Sequence, residues 1–245
     1  MARLPRLRVP GLPFHVRVRG NDGQPIFHTE GDRIYLHRCL VDATRRHGVA
    51  VHAYVFMGNH VHLLATPEGE DSLSRALQSV GRRYVSYFNY VRGRTGTLWE
   101  GRFRSCPVES DRYFLVCHRY VELNPVRAGL SADPGQFGWS SFRCNALGRA
   151  DDLVSPHSLY MELGRAEEAR RAAYRRLFED DLEAPTLAAI RHAAARGWAL
   201  GGEKFCRLLE QHSGRPAAIR KAGRPRGARS GHAIEEITSP NLIGV

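Results

Sequence analysis

Two short stretches of the 245-residue chain combine side chains that metal and phosphoryl chemistry use. In Gly58-Asn59-His60-Val61-His62-Leu63-Leu64, two histidines are separated by one residue. On a strand that spacing puts both imidazoles on one face, with Cα atoms roughly 6.5–7 Å apart, where two neutral rings can share one divalent cation. In Cys117-His118-Arg119-Tyr120-Val121-Glu122-Leu123-Asn124-Pro125, a tyrosine and an asparagine lie four residues apart. On a helix they stack on one face with Cβ atoms about 6 Å from each other, so a phenol and an amide oxygen can face the same ion. Each residue also has a plain structural reading. A His-x-His arises by chance in a chain with twelve histidines, a tyrosine on an apolar helix is usually core, and Asn before Pro commonly ends a helix. Taken singly, the residues leave both readings open.

The elements that must position them follow from periodicity. Phe14-His15-Val16-Arg17-Val18-Arg19 alternates apolar and polar residues, which predicts a half-buried strand closed by Gly20-Asn21-Asp22-Gly23. Leu36, Cys39, Leu40 and Ala43 recur at helical spacing between Thr29, a candidate N-cap, and Gly48. Residues 49–56 and 60–66 read as a hairpin across Met57-Gly58-Asn59, and 71–91 as an amphipathic helix. A short strand is predicted from Arg104 to Glu109, and a helix capped by Asp111 running to Asn124, where Pro125 blocks it. The order β-α-β-β-α-β-α predicts an α+β fold, a ferredoxin- or RRM-like antiparallel sheet with helices on one face and the other face free to carry a site.

Beyond Trp139-Ser140-Ser141 the composition shifts to Ala, Arg and Glu, predicting helices at about 165–178, 186–196 and 202–212. The last two are open to reading as a helix-turn-helix or, more simply, as a docked pair, because Trp198 and Leu200 sit in their connection. Residues 213–229 contain no acid and several arginines, which predicts a disordered basic tail. The organisation is therefore an α+β domain over 1–150 that carries both motifs, a helical extension over 151–213 and a tail over 214–245. Within the tail, Gly223-Arg224-Pro225-Arg226-Gly227 is similar to an AT-hook core, in which Arg-Pro-Arg enters a narrow minor groove, but plain phosphate attraction is the simpler reading of so short a match.

Net charge is +11, a basic excess that points to a polyanionic partner or to a solvated basic surface. No stretch approaches the roughly 18 uninterrupted apolar residues of a membrane helix, and the charges at Arg3 and Arg6 precede no apolar signal core. The expectation is a cytoplasmic protein with no membrane association. Cys39, Cys106, Cys117, Cys144 and Cys206 are odd in number and include no C-x-x-C pair, which speaks for reduced core thiols over disulfides or structural zinc.

With both motifs in view, the sequence resembles the single-tyrosine HUH transposases related to the IS200/IS605 enzymes, and within them the REP-associated tyrosine transposases. The resemblance is carried by Gly58 to Leu64, by Gly96-Thr97-Leu98-Trp99-Glu100-Gly101-Arg102-Phe103, by Arg119 to Gly129 and by Trp139-Ser140-Ser141. It implies that His60 and His62 are metal ligands, that Asn124 stands where the family has a Gln or Asn as third ligand, and that Tyr120 is the nucleophile. One departure lies in Val16-Arg17-Val18-Arg19, where relatives more often carry Thr or Gln before the Arg-Gly-Asn. The implied partner is hairpin-forming single-stranded DNA from repetitive extragenic palindromes, cleaved sequence-specifically and transferred through a 5′-phosphotyrosine. The family includes dimers, while the REP-associated branch is expected to be monomeric.

The residue types suit that chemistry on physical grounds. A tyrosine ester keeps the energy of the broken phosphodiester, so rejoining needs no external source. Two imidazoles and an amide oxygen form a neutral, open set suited to Mg²⁺ or Mn²⁺. For strand binding, cations beside aromatics make a stacking platform, with Arg17, Arg19, Arg82, Arg83, Arg102 and Arg104 near Trp99 and Phe103, and Arg224 and Arg226 in the tail. Two alternatives remain. One is a non-catalytic nucleic-acid binder on the same fold. The other is a metallohydrolase using His60 and His62 with Glu100 or Glu122 as its acid.

Overall fold

The computed structural model describes residues 6–218. The expectations for Arg224, Arg226 and most of the tail lie outside the described residues. The chain begins with strand β1 (Phe14–Arg19) and helix α1 (Glu30–His47). Thr29 closes a capping box on α1, its side chain accepting from the Asp32 amide while the Asp32 carboxylate accepts from the Thr29 amide. Gly48 ends the helix in the left-handed conformation that a residue without Cβ adopts freely (φ 63°). Strands β2 (Val49–Met57) and β3 (His60–Pro67) form the hairpin, followed by α2 (Ser72–Arg92) and β4 (Arg104–Pro107). The sheet is antiparallel in order β2-β3-β1-β4, as the β-α-β-β-α-β order requires.

Alternation along the strands divides the side chains between two cores. Phe14, Val16, Tyr54, Phe56, Val61 and Leu63 face α1 and α2, where they meet Leu36, Leu40, Tyr84 and Phe88. The opposite face is not free. Ala53, Val55, Met57, Leu64 and Cys106 pack against Phe114, Cys117, Tyr120 and Val121 of α3 (Ser110–Glu122) and against Ile190 and Ala193 of α8 (Ala184–Arg196). Each large apolar side chain fully buried in these layers contributes about 1.5–3 kcal/mol, which is why a row of apolar residues on the second face draws its own helices.

The helix carrying Tyr120 also departs from expectation at both ends. Glu109, not Asp111, is its N-cap, and the helix stops at Glu122. Leu123 (φ −84°, ψ −1°) makes a break, after which α4 (Asn124–Arg127) begins with Pro125 in its first turn. Proline needs no amide partner there and starts the new turn instead of ending the old one.

Short helices α5 (Phe142–Leu147) and α6 (Ser158–Met161) lead to α7 (Glu167–Arg176), and a third cluster forms around Phe142, Tyr160 and Tyr174. Between α8 and α9 (Glu203–Ser213), Leu200 runs beside the end of β4, its amide donating to the Pro107 carbonyl (2.8 Å) and its carbonyl accepting from the Glu109 amide (2.9 Å). The pair is thus docked on the sheet. Cys206 and Leu209 of α9 join the α1/α2 core and Ile190 joins the α3 core, so the composition change near residue 150 does not begin a self-contained core. All five cysteines are free thiols, four of them buried.

Candidate active site

His60 and His62 project from β3 onto the face that α3 partly covers, beside Arg19 and Arg17, their register partners on β1. The rings are edge-on, with centroids 5.0 Å apart. His60 Nδ1 lies 2.7 Å from Asn59 Oδ1, while Asn59 Nδ2 donates to the Gly23 carbonyl (3.1 Å). That second bond identifies the oxygen of the carboxamide, so His60 carries its proton on Nδ1 and presents the Nε2 lone pair. His62 Nδ1 lies 2.8 Å from Nε2 of His15, a buried residue of β1 that stacks on it (centroids 4.9 Å apart). A donor Nδ1 on His62 leaves its Nε2 open as well. Partners at the far ring nitrogen orient metal-binding imidazoles in this way.

Burial pushes His60 down to about 4, helped by Arg17 and Arg19. It does the same to His15, also to about 4, with Arg17 adding to the effect. His62 is held well below the ordinary histidine value by burial, then by His15, His60, Arg17 and Arg127. All three rings are therefore neutral at pH 7, the form that ligates metal. The pair fits a divalent cation by donor type, orientation and protonation.

Tyr120 comes down from α3 onto the same imidazoles. Its ring is edge-on to His62 (5.9 Å between centroids, 89°) and to His15 (5.4 Å, 76°). The Arg127 guanidinium sits 4.7 Å from the centre of the Tyr120 ring and donates to the Tyr120 carbonyl. Asn124 Nδ2 donates to the carbonyls of Tyr120 (3.0 Å) and Val121 (3.4 Å), which leaves Oδ1 as its unused acceptor. The two motifs, some sixty residues apart in sequence, thus converge, with His62 and Tyr120 in ring contact and Asn124 bonded to the backbone of the tyrosine. Among the described residues no three His, Cys, Asp or Glu side chains gather as a metal site, so a third ligand would have to be of another type, such as this carboxamide.

Residues 8–124 match the family model of the IS200-like transposases. The matched stretch is similar to that family and makes up just under half of the chain. A REP-associated tyrosine transposase solved bound to a REP hairpin is similar in fold, with a TM-score of 0.52 and 19% identity over 64% of this chain and 93% of that one. A protein from Deinococcus radiodurans described as a transposase is 22% identical, covering 49% of this chain and 96% of that one at a TM-score of 0.35. No curated protein sequence matches.

Around the paired imidazoles, the arginines expected to bind DNA fall into two groups. Arg17 and Arg19 flank the imidazoles, and Arg104 is the register partner of Arg17 on its other side. The buried Nε of Arg17 has no acceptor among the described residues. Arg82 and Arg83, by contrast, lie on α2 across the sheet. Arg82 lines an apolar cavity of about 700 Å³ there, and Arg83 donates to Asp42 (3.0 Å). The carboxylates considered for hydrolysis are not at the imidazoles. Glu100 faces Arg19 (3.6 Å), and Glu122 is buried in a network with Ser141, Asn145 and Tyr174. Sequence reasoning missed His15, Asn59 and Arg127. A signal existed for the first, since His15 shares the period-two face of Arg17 and Arg19.

Proposed function

We propose that this transposase domain cleaves and rejoins single-stranded DNA through Tyr120, acting as a monomer in the cytoplasm on hairpin-forming REP-type sequences. In the cleavage step the phenolic oxygen attacks the scissile phosphorus in line and gives up its proton. A 5′-phosphotyrosyl bond forms as the P–O3′ bond breaks, leaving a free 3′-OH. Attack by another 3′-OH on the phosphotyrosine reverses these changes and joins strands.

His60 and His62, through Nε2, with the Asn124 carboxamide, would hold Mg²⁺ or Mn²⁺, which when bound supplies charge neutralisation on the non-bridging oxygens. His15 and Asn59 keep the two rings in the ligating tautomer. Arg17 and Arg127 both lie within electrostatic reach of the phenol. Arg17, Arg19, Arg102 and Arg104 provide cations for the incoming backbone. The hairpin partner is supported by the structural relative solved with a REP hairpin.

The observation that carries this reading is the Tyr120 ring lying edge-on to His62. A second reading is favoured by one fact, that Tyr120 is only 7% exposed: a DNA-binding protein without chemistry. Incubating the protein with single-stranded REP-hairpin oligonucleotide and Mn²⁺, then resolving it on a denaturing gel, separates the two. The proposal expects a covalent adduct that EDTA abolishes and that Tyr120→Phe does not form. An adduct persisting in the Phe variant refutes it, and no adduct from the native protein favours the binder.

A further inference from the structure

A groove of about 400 Å³ opens on the outer edge of β4, opposite the side that faces β1, and its walls come from both halves of the chain. One wall is the segment 102–105 with Arg6, and the other is the end of α8 at Ala195-Arg196-Gly197 together with Arg215. The wall from α8 is fixed in place by backbone. Leu200 is bonded to β4 as described, Arg104 donates to the Ala195 carbonyl, and Gly197 closes α8 in the left-handed conformation (φ 69°).

Charge in the groove is one-sided. Arg6, Arg102, Arg104, Arg196 and Arg215 line it against a single described acid, Glu100, which already faces Arg19. Arg6 donates to the Phe103 carbonyl (2.9 Å), Arg104 to that of Ala195 and Arg215 to that of Gly197 (3.0 Å). Carbonyls orient the Arg6 and Arg104 guanidinium groups but do not neutralise them. Holding like charges together costs free energy that a polyanion in the groove offsets.

Arg104 relates the groove to the imidazoles by strand register. His62, Arg17 and Arg104 are successive register partners on β3, β1 and β4, so their side chains emerge in one row on one face. With strands about 4.8 Å apart, that row spans roughly 10 Å from the imidazole to the groove.

From these observations we infer that the groove between β4 and the end of α8 holds the phosphodiester backbone of the DNA strand beside the cleaved bond. The unpaired strand crosses the sheet over Arg17 and Arg104 and enters between Arg102 and Arg196. This rests on the proposed strand cleavage for the identity of the strand, and it gives the C-terminal helices a direct part in substrate binding.

The test uses the full chain and fluorescein-labelled oligo-dT, with affinity measured by anisotropy over a series of salt concentrations. Each single-strand phosphate contact contributes about 0.7 to the slope of log K against log[salt]. Arg102 and Arg196 are both exposed, so their joint replacement by Ala should preserve the thermal melt. It should lower the slope magnitude by about 1.4, whereas Arg45→Ala with Arg46→Ala, at the exposed end of α1, should leave it unchanged. An equal slope in the two double variants overturns the inference, as does a loss seen only with blunt duplex DNA and not with oligo-dT. Adduct formation by the native protein, assayed alongside, keeps the two claims apart. A missing adduct sinks the catalytic reading while the slope comparison stands, and an unchanged slope sinks the groove while the adduct persists.

Discussion

Replacing Glu122 with Gln should change how folding stability depends on pH while keeping the Tyr120 helix in place. The carboxylate is fully buried, two residues beyond the tyrosine, and accepts hydrogen bonds from Ser141 Oγ (2.5 Å), Asn145 Nδ2 (3.0 Å) and Tyr174 OH (2.7 Å). Burial nevertheless pushes it up from 4.5 to about 7, outweighing those bonds. A carboxyl whose pKa is raised by folding holds its proton more tightly in the native state than in the unfolded one. Its contribution is complete below the unfolded value and is lost as pH rises through about 7. At 1.36 kcal/mol per unit, the loss is about 3 kcal/mol.

Buried His15, His52 and His60, each lowered to about 4, act in the opposite sense, their contribution being lost as pH falls through that value. The raw curve of the native protein therefore mixes the two effects, and the difference from the variant isolates the carboxyl. Gln keeps an oxygen for Ser141 and Asn145 and offers an amide to Tyr174, whose hydroxyl also meets His118 Nδ1 (2.9 Å). Urea unfolding of both proteins between about pH 4.5 and about pH 8 should show the variant gaining about 3 kcal/mol relative to the native chain across that range. A difference that stays flat with pH would refute the reasoning.

Two further outcomes test other parts of the structure. Asn59→Ala removes the acceptor of His60 Nδ1 together with the donor to the Gly23 carbonyl, and on the proposed reading Mn²⁺ affinity measured calorimetrically should fall about 10- to 100-fold, while the metal-free protein loses only about 0.5–1.5 kcal/mol of stability. An unchanged affinity would remove Asn59 from the site. Gly20→Ala places a Cβ against the Gln24 carbonyl oxygen and within 2.9 Å of Ile26 Cγ2, so it should destabilise by about 1–3 kcal/mol in thermal denaturation, and an unshifted melt would contradict the packing described.

Much of this architecture is legible in local pattern. Alternation at Phe14–Arg19, the helical spacing of Leu36, Cys39 and Leu40, and the left-handed stop at Gly48 are each decided within a few residues, and the observed elements follow them. The same period of two makes the facing of His60 and His62 readable. What escaped was decided between distant segments. The packing of α3 and α8 on the second face depends on how apolar area is shared in three dimensions, and no short window contains it. Pro125 was misread because proline has opposite meanings at the end and the start of a helix, and only the break at Leu123 distinguishes them. Arg82 and Arg83 were grouped with Arg17 by composition, whereas the fold puts a sheet between them. Asn59 and Arg127 act through a neighbour's ring and a neighbour's carbonyl, relations that residue type alone does not announce.

The pairing of β3 with β1 ties the candidate site to folding at the level of a single step along the strand. Val61 and Leu63 alternate with His60 and His62, and each apolar residue is keyed into the α1/α2 layer. A slip by one position would drive both imidazoles among Leu36, Tyr84 and Phe88 and turn the two aliphatic chains toward the tyrosine. No partly slipped sheet keeps both imidazoles beside Tyr120. The oil on one side of the ribbon thereby proofreads the placement of the histidines on the other, and a chain that passes that check has both imidazoles facing the tyrosine helix.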